Sequence, residues 1–491
     1  MRVTFVYPNI TGDFNYKGYA YLGIGYLASI LKEAGHTVSL LQILNSVEDA
    51  EFFASIKKGN PQIVAFTATT NMYPFVQRWA KLLKNNMSVL TICGGPHPTL
   101  DPESVINDEG IDIVCIGEGE GALLDLCNLL EQKNDISQIE NLWIKKDNTV
   151  IKNKVRPLIE DLDSLPFPDR DIFNYSQMQE ASEGQFRILA SRGCPFNCFN
   201  CSNHQLKEVY PNRHKYVRFR SPENIISELQ EALSKYKGIT YFHFIDDILP
   251  MKAQWFGEFS NLYKREIGLP YLCHIHPNLL TEETLKMLKH SNCFQVQIGV
   301  ESGNDYIREK VLNRPISRQQ IIKGFKLCKQ YGLTTYAYNM VGMPFEDKDK
   351  ILDTVKLNAK FEPAIIHTSI YYPYPKTKLF DICKENGFLT DRRIDNYFSD
   401  TCLNFDKSLR NFIIFIQRFF HPLVKIFATV LKLPKALCPF VENAISGMLK
   451  LNIVAWAINT LRFNYIQIRN RLNKGKIVAQ KKIVYSPNLE V

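Results

Sequence analysis

Cys194, Cys198 and Cys201 lie within SRGCPFNCFNCSNH, and they form the only tight cysteine cluster in the sequence. Three thiols at this spacing suit a metal centre. A zinc site asks for four ligands, commonly two separated pairs, and His204 would complete a Cys3His set. A four-iron cluster asks for three cysteines when one iron stays open to substrate, and an open metal position is what catalysis uses. Both readings stand on the triplet alone. The third, a disulfide, is disfavoured by compartment. MRVTFVYPN runs directly into a strand pattern, without the basic region and apolar stretch of a signal peptide, so the chain is expected in the cytoplasm, where thiols stay reduced. Cys93, Cys115, Cys127, Cys293 and Cys328 sit in apolar runs and read as small hydrophobes.

A second chemical signature is Cys273-His274-Ile275-His276, read as part of a strand. A period of two aims His274 and His276 to one face, where paired imidazoles could carry a proton for a substrate. A third is a set of glycine-marked loops: Thr67 to Asn71, Gly94-Gly95-Pro96-His97 and Gly117-Glu118-Gly119-Glu120. Glycine lets backbone approach something large and flat or phosphate-bearing. No GxGxxG follows the first strand pattern, which argues against a nicotinamide dinucleotide.

These residues need elements to hold them. RVTFVYP, TVSLLQI, QIVAFTAT, VLTICGG and DIVCIGEG read as buried strands separated by helical periodicity. That alternation predicts an α/β domain over 1–140, a doubly wound parallel sheet that binds ligands beyond the carboxyl ends of its strands. Residues 141–184, centred on LPFPDRD, read as a linker. From 185 to 390 a second alternation of six strands and helices predicts a partial or full parallel barrel, whose site lies at the carboxyl ends of its strands. Ser221, Thr281 and Ser317 are placed to cap helices, with Pro222 in the first turn. Residues 391–491 read as a mostly helical C-terminal region.

Beyond the triplet, the barrel region carries Arg218-Phe219-Arg220-Ser221-Pro222-Glu223, Phe244-Ile245-Asp246-Asp247, Gly299-Val300-Glu301-Ser302-Gly303, Leu312-Asn313-Arg314, Gly342-Met343-Pro344 and Pro373-Tyr374-Pro375. With the CxxxCxxC triplet and the preceding sheet, the combination resembles the radical S-adenosylmethionine (radical SAM) superfamily, in the subgroup with a fused N-terminal cobalamin-binding domain, over about residues 1 to 390. The resemblance implies a [4Fe-4S] cluster on Cys194, Cys198 and Cys201, with S-adenosylmethionine chelating the open iron. It implies Asp246 or Asp247 against the methionine ammonium, and Glu301 and Ser302 near the ribose or methionyl part. His204 becomes a bystander.

The sequence holds no D-x-H-x-x-G motif, the usual loop whose histidine ligates cobalt. In the subgroup it resembles, cobalamin is often bound without one. Thr67, Asn71, Gly94, Gly95, Gly117, Glu118 and Gly119 would then line the corrin and its tail; alternatively the domain serves as architecture or binds substrate, as in some fused members. His97 reads as a solvent-facing loop residue and His36 as a helix C-terminal residue favoured by the dipole. The activity implied is reductive cleavage of S-adenosylmethionine to a 5′-deoxyadenosyl radical, used for methylation of an unactivated carbon by methylcobalamin, or alternatively for radical cyclisation. A corrinoid or redox sensor would not need the S-adenosylmethionine motifs. A reductant such as flavodoxin or ferredoxin is implied.

The formal charge of +9 is uneven: residues 405–491 contain 14 Lys or Arg and 3 Asp or Glu. Basicity confined to the tail argues against a nucleic-acid binder and for one local contact surface. NFIIFIQRFFHPLVKIFATVLKLP and NAISGMLKLNIVAWAINTLRFNYIQIRNRL suit either helices lying in a membrane interface, drawn to anionic lipid, or an amphipathic cap packed on the barrel. The first reading implies a peripheral protein at the inner face of the membrane and a lipid-linked rather than a free small-molecule substrate.

Overall fold

The computed structural model describes residues 1–10, 16–147, 149–392, 398, 400–451 and 483–485. The apolar, basic stretch from 452 to 482 lies outside the described residues. The chain divides into two compact units, Met1–Pro195 with Ser202–Asp246 and Gln480–Val491, and Phe196–Cys201 with Asp247–Ala479.

In the first unit, β1 (Arg2–Pro8), β2 (Thr37–Ile43), β3 (Ile63–Thr67), β4 (Leu90–Gly94) and β5 (Ile113–Cys115) form a parallel sheet in the order β2-β1-β3-β4-β5. Their near-continuous apolar runs follow from burial on both faces. One face packs Phe5, Ile24, Leu31 and Leu126, the other Phe52, Trp79, Leu83 and Ile106. Burying each such side chain contributes about 1.5–3 kcal/mol. The chain leaves β1 to opposite sides for β2 and β3, so the crevice of the sheet opens at the carboxyl ends of β1 and β3.

The stretch 141–184, read as a linker, is instead built into this unit. β6 (Leu142–Lys146) pairs antiparallel with β5, and β7 (Thr149–Lys152) with β6. Their short runs, LWIKK and TVIK, carry too little apolar content to announce strands alone. They form because the edge of β5 offers unpaired backbone groups. Further on, Arg170 Nη1 lies 2.8 Å from Glu228 Oε1, both side chains buried. The tail returns here too: β16 pairs antiparallel with β2 at Ile483–Tyr485, a strand inside the region expected to be helical.

After β7, β8 (Gln185–Ile188) pairs parallel with β11 (Tyr241–Phe244) in the first unit, while β9 (Ser191–Arg192) pairs antiparallel with β10 (Arg218–Phe219). In the second unit β12 (Tyr271–Ile275), β13 (Cys293–Glu301), β14 (Thr334–Val341) and β15 (Ile365–Ile370) run parallel as neighbours in chain order, with helices Glu282–His290, Arg318–Gln330 and Lys348–Phe361 between them. The Ser221, Thr281 and Ser317 hydroxyls cap helices as their spacing requires, Ser317 in a capping box with Gln320.

The first apolar stretch of the tail forms the helix Lys407–Val430. Its Phe412, Ile416, Phe420 and Phe427 pack with Val341, Ile351, Val355 and Ile370. The helix is long and apolar enough to cross a membrane, but half of its apolar window is buried, as in the core helix of a domain. The helix Cys438–Lys450 follows.

Candidate cofactor and active site

Cys194 belongs to the first unit, Cys198 and Cys201 to the second. Among the described residues no three His, Cys, Asp or Glu are gathered closely enough to hold an ion. Thiol ligand sets close around their metal as it binds, so donor chemistry is the test of fit. In the second unit the loop is anchored firmly. Phe199 N donates to Leu312 O at 3.0 Å, Leu379 N to Phe199 O at 2.9 Å, and Asn313 Nδ2 to Asn197 O at 2.9 Å. Arg314 Nη1 donates to Cys198 Sγ at 3.4 Å, and its Nη2 to Gly299 O at 2.8 Å. A cationic donor fits a sulfur that carries negative charge as a cluster ligand. The sequence marks Leu312-Asn313-Arg314 as a motif without a role; its role here is to hold the cysteine loop. His204 lies on the helix Asn203–Glu208, its Nε2 3.2 Å from Gln205 Nε2.

Arg314 also influences Glu301. Burial raises the Glu301 carboxyl above its ordinary value, and the Arg314 charge opposes that. Glu301 has φ 64°, a left-handed conformation rare for a residue with a side chain, which ends β13 and turns its carboxylate back along the strand. A Cβ on Gly299 would lie 2.5 Å from Glu301 Oε1, so glycine makes room for that carboxylate. Ser302 is fully buried and its hydroxyl accepts from Asn304 N at 3.2 Å, a turn-closing role. Asp246, at the end of β11, is likewise committed. Its Oδ1 accepts from Ala190 N at 3.0 Å and from Ser191 Oγ at 2.5 Å, and burial pushes its carboxyl up to about 6 against those hydrogen bonds. Asp247 is exposed. Of the acidic pair, Asp247 is therefore the one left exposed.

His274 lies on β12, whereas the strand ends at Ile275 and His276 starts a 3-10 turn, its Nδ1 accepting from Asn278 N at 3.4 Å. His276 is buried and stacks on Phe196 with ring centroids 3.7 Å apart. Burial, then the Arg314 charge, pushes its imidazole down to about 3, which keeps it neutral near pH 7 and unsuited to carry a proton there. The face of His274 is shared by residues that sequence reading did not select. Register aligns His274 with Gln297, Gln297 with Tyr336, and Tyr338 with His367. Tyr338 Oη donates to Gln297 Oε1 at 2.6 Å, and Tyr336 Oη lies 3.3 Å from His367 Nδ1. On β14 the alternate residues Thr335, Ala337, Asn339 and Val341 are buried, while Tyr336 and Tyr338 are half-exposed. The signal was the period-two recurrence of tyrosine in TTYAYN.

At the strand ends of the first unit, Thr67 closes β3 and its hydroxyl bonds Tyr21. Gly95 has φ 103°, and a Cβ there would lie 3.0 Å from Ala68 O and from Thr67 Oγ1. Gly117 N donates to Thr99 Oγ1 at 3.0 Å, and a Cβ on Gly117 would meet Tyr210 Oη at 2.8 Å. Gly94 ends β4, Gly119 precedes the helix Glu120–Glu131, and Asn71 is exposed and accepts from Thr69 Oγ1 at 2.6 Å. Glu118 does something else. Arg192 Nη1 at 2.8 Å, Arg218 Nη1 at 3.0 Å and Ile159 N at 2.9 Å all reach it. Burial would raise its carboxyl, but the two arginines hold it below the ordinary value, so Glu118 clamps structure rather than lining a ligand.

Two further histidines are settled by position. His97 is not a solvent-facing loop residue: it is buried in the short helix Pro96–Leu100 against Tyr73, ring centroids 4.5 Å apart. His36 bridges Met1 N at 3.0 Å and Asn128 Oδ1 at 3.0 Å. Among the described residues, His97 Nε2, Gln42 Oε1 and Asn45 Oδ1 are buried polar atoms without a hydrogen-bond partner. They follow or end parallel strands, where a broad polar ligand would satisfy them, and buried polar groups are rarely left unmade. The amide groups around a corrinoid's rim could satisfy these atoms, so they fit that group.

Comparison with known proteins extends the geometry. A B12 binding domain model matches residues 17–127, and a radical SAM superfamily model matches residues 188–357. An uncharacterized methyltransferase of Pyrococcus horikoshii is 30% identical over 372 residues, 75% of this chain and 79% of that protein. The anaerobic magnesium-protoporphyrin IX monomethyl ester cyclase of Rubrivivax gelatinosus is 26% identical over 437 residues, covering 81% and 77% of the two chains. The solved structure of OxsB, a cobalamin-dependent S-adenosylmethionine radical enzyme with aqua-cobalamin and S-adenosylmethionine bound, shares the fold with a TM-score of 0.70 at 16% identity, over 98% of this chain and 82% of that one. With a cysteine loop clamped by Arg314, a glycine-lined parallel sheet ahead of it and these matches over both, the chain belongs to the radical SAM superfamily, in the branch that joins a B12-binding domain to the radical SAM domain.

Proposed function

We propose that this radical SAM enzyme methylates an unactivated carbon of its substrate. The observation that carries the reading is the presence in one chain of both cofactor frames: the Arg314-clamped cysteine loop and the strand ends with buried, unpartnered His97, Gln42 and Asn45 atoms. When bound, the iron–sulfur cluster with S-adenosylmethionine supplies a 5′-deoxyadenosyl radical and cobalamin supplies the methyl group. The chain's own residues do the rest. Arg314 fixes Cys198 and the Gly299 carbonyl, Glu301 presents a carboxylate beside Gly299, and the exposed Asp247 would take the methionine ammonium. The Tyr336, Tyr338, Gln297, His274 and His367 face orients the substrate through hydrogen bonds and ring contacts. Similarity to a methyltransferase supports this assignment.

A second reading, radical cyclisation, draws on similarity to a porphyrin ester cyclase. We further infer a cytoplasmic enzyme reduced by a flavodoxin or ferredoxin, acting on a small-molecule or lipid-linked substrate. Anaerobic reconstitution with iron, sulfide, S-adenosylmethionine and hydroxocobalamin separates the chemistries. Methylation yields 5′-deoxyadenosine together with S-adenosylhomocysteine in the presence of substrate; cyclisation yields the first without the second. Neither product under reducing conditions would sink both.

A further inference from the structure

The helix Lys407–Val430 spends its apolar face on the second unit, yet the segment after it does the opposite. Residues 431–437 are all exposed, Leu431, Leu433 and Leu437 among them. In the helix Cys438–Lys450 only Ser446 and Leu449 are buried. Its outer side carries Phe440, Ala444 and Met448, continued by Leu451. Steps of four, four and three place them on one helical face. Phe440 is 76% exposed and Met448 61%. A soluble surface rarely concentrates large apolar side chains in this way without a partner.

The charge around this tip identifies the partner. Residues 407–450 hold seven Lys or Arg and a single acidic residue, Glu442, which is itself paired with Lys356 at 3.0 Å. Lys425, Lys432 and Lys435 are exposed beside Ile426, Leu433 and Leu437. Apolar side chains flanked by lysines that make no ion pair among the described residues match the headgroup boundary of an anionic bilayer, where the aromatic and aliphatic groups enter the acyl edge and the ammonium groups meet lipid phosphate. A second protein copy would bring the same positive charge to the same surface and repel it. From this we infer that the exposed turn 431–437 and the outer face of the helix Cys438–Lys450 form a docking surface for an anionic lipid bilayer, seating the second unit on the membrane without crossing it.

Vesicle flotation of the full chain tests this. Vesicles of phosphatidylcholine with about 30 mol% phosphatidylglycerol are expected to carry the protein upward, phosphatidylcholine alone to carry little, and about 0.5 M salt to weaken the binding. Lys432→Glu with Lys435→Glu is expected to lower vesicle affinity at least about tenfold by removing attraction to lipid phosphate, and Leu437→Ser with Phe440→Ser to lower it similarly by removing apolar insertion. All four side chains are exposed, so both variants should keep the parent's melting temperature and its reductive cleavage of S-adenosylmethionine. Three results would overturn the inference: no flotation on anionic vesicles, equal flotation of parent and variants, or a vesicle-independent dimer abolished by the same substitutions.

Discussion

Arg314 Nη1 lies 3.4 Å from Cys198 Sγ while Nη2 of the same guanidinium donates to the Gly299 carbonyl at 2.8 Å. One side chain therefore ties the cysteine loop to the end of β13, where Glu301 stands. A hydrogen bond from a charged group contributes about 1.5–3 kcal/mol, enough to hold a loop against the entropy of freeing it.

Replacing Arg314 should accordingly loosen cluster retention. We expect anaerobically reconstituted Arg314→Gln to hold less iron and to bleach faster in air than the parent, with Arg314→Lys intermediate because it keeps charge but loses the fork that reaches both acceptors. Iron quantitation and the visible cluster absorbance read this directly. Parent-level iron and bleaching in Arg314→Gln would leave the guanidinium without a positioning role. Cys198→Ala, by contrast, should abolish the band.

Glu346 predicts a pH dependence of stability. Its Oε2 accepts from Gly342 N at 2.7 Å and Met343 N at 3.0 Å, and burial pushes its carboxyl up to about 8. An unfolded glutamate ionises near pH ~4.3. Between that value and about 8 the folded chain retains a proton that the unfolded chain has released. The stabilisation is complete at low pH and is lost as pH rises through 8. Asp246, pushed up to about 6, acts in the same direction over a narrower window. Glu346→Gln keeps an acceptor for both amides and removes the titration. It should melt higher than the parent near pH ~8.5, by an amount on the order of a few kcal/mol, and differ little near pH ~5. Parallel melting curves across that range would contradict the assignment.

The first unit offers a binding test that does not depend on turnover. Gly95→Val introduces a branched side chain at φ 103°, within about a van der Waals radius of Ala68 and Thr67, and should weaken hydroxocobalamin binding by at least about tenfold. His97→Ala removes a buried, unpartnered Nε2 and should weaken it less. Equilibrium dialysis followed through corrinoid absorbance measures both, and a melting temperature taken alongside separates lost binding from lost fold. Undiminished binding in both folded variants would move the corrinoid away from these strand ends.

Much of the architecture is written in local patterns. The doubly wound sheet follows from β-branched runs alternating with helical periodicity, and the helix starts at Ser221, Thr281 and Ser317 from capping chemistry that acts within four residues. β6 and β7 were not legible, because strands as short as LWIKK and TVIK exist only by pairing with an edge supplied elsewhere in the chain. At the site, residue type announced the cysteines, Asp246 and Glu118, but not how each is used. Asp246 and Glu118 are committed to partners 41 to 100 positions away in the sequence.

What the sequence by itself determined is therefore the ligand chemistry and the order of the elements: three thiols at fixed spacing, glycines at strand ends, helices that know where to begin. Only the tertiary structure decided that Arg314 attends the cysteine loop, that His276 is held neutral, that Glu118 is a clamp, and that Tyr336, Tyr338, Gln297 and His367 share one face with His274. The reason is physical. Capping and periodicity are interactions among near neighbours and can be read along the chain, whereas burial and long-range charge, which set what a histidine or a carboxylate can do, exist only once distant strands lie side by side.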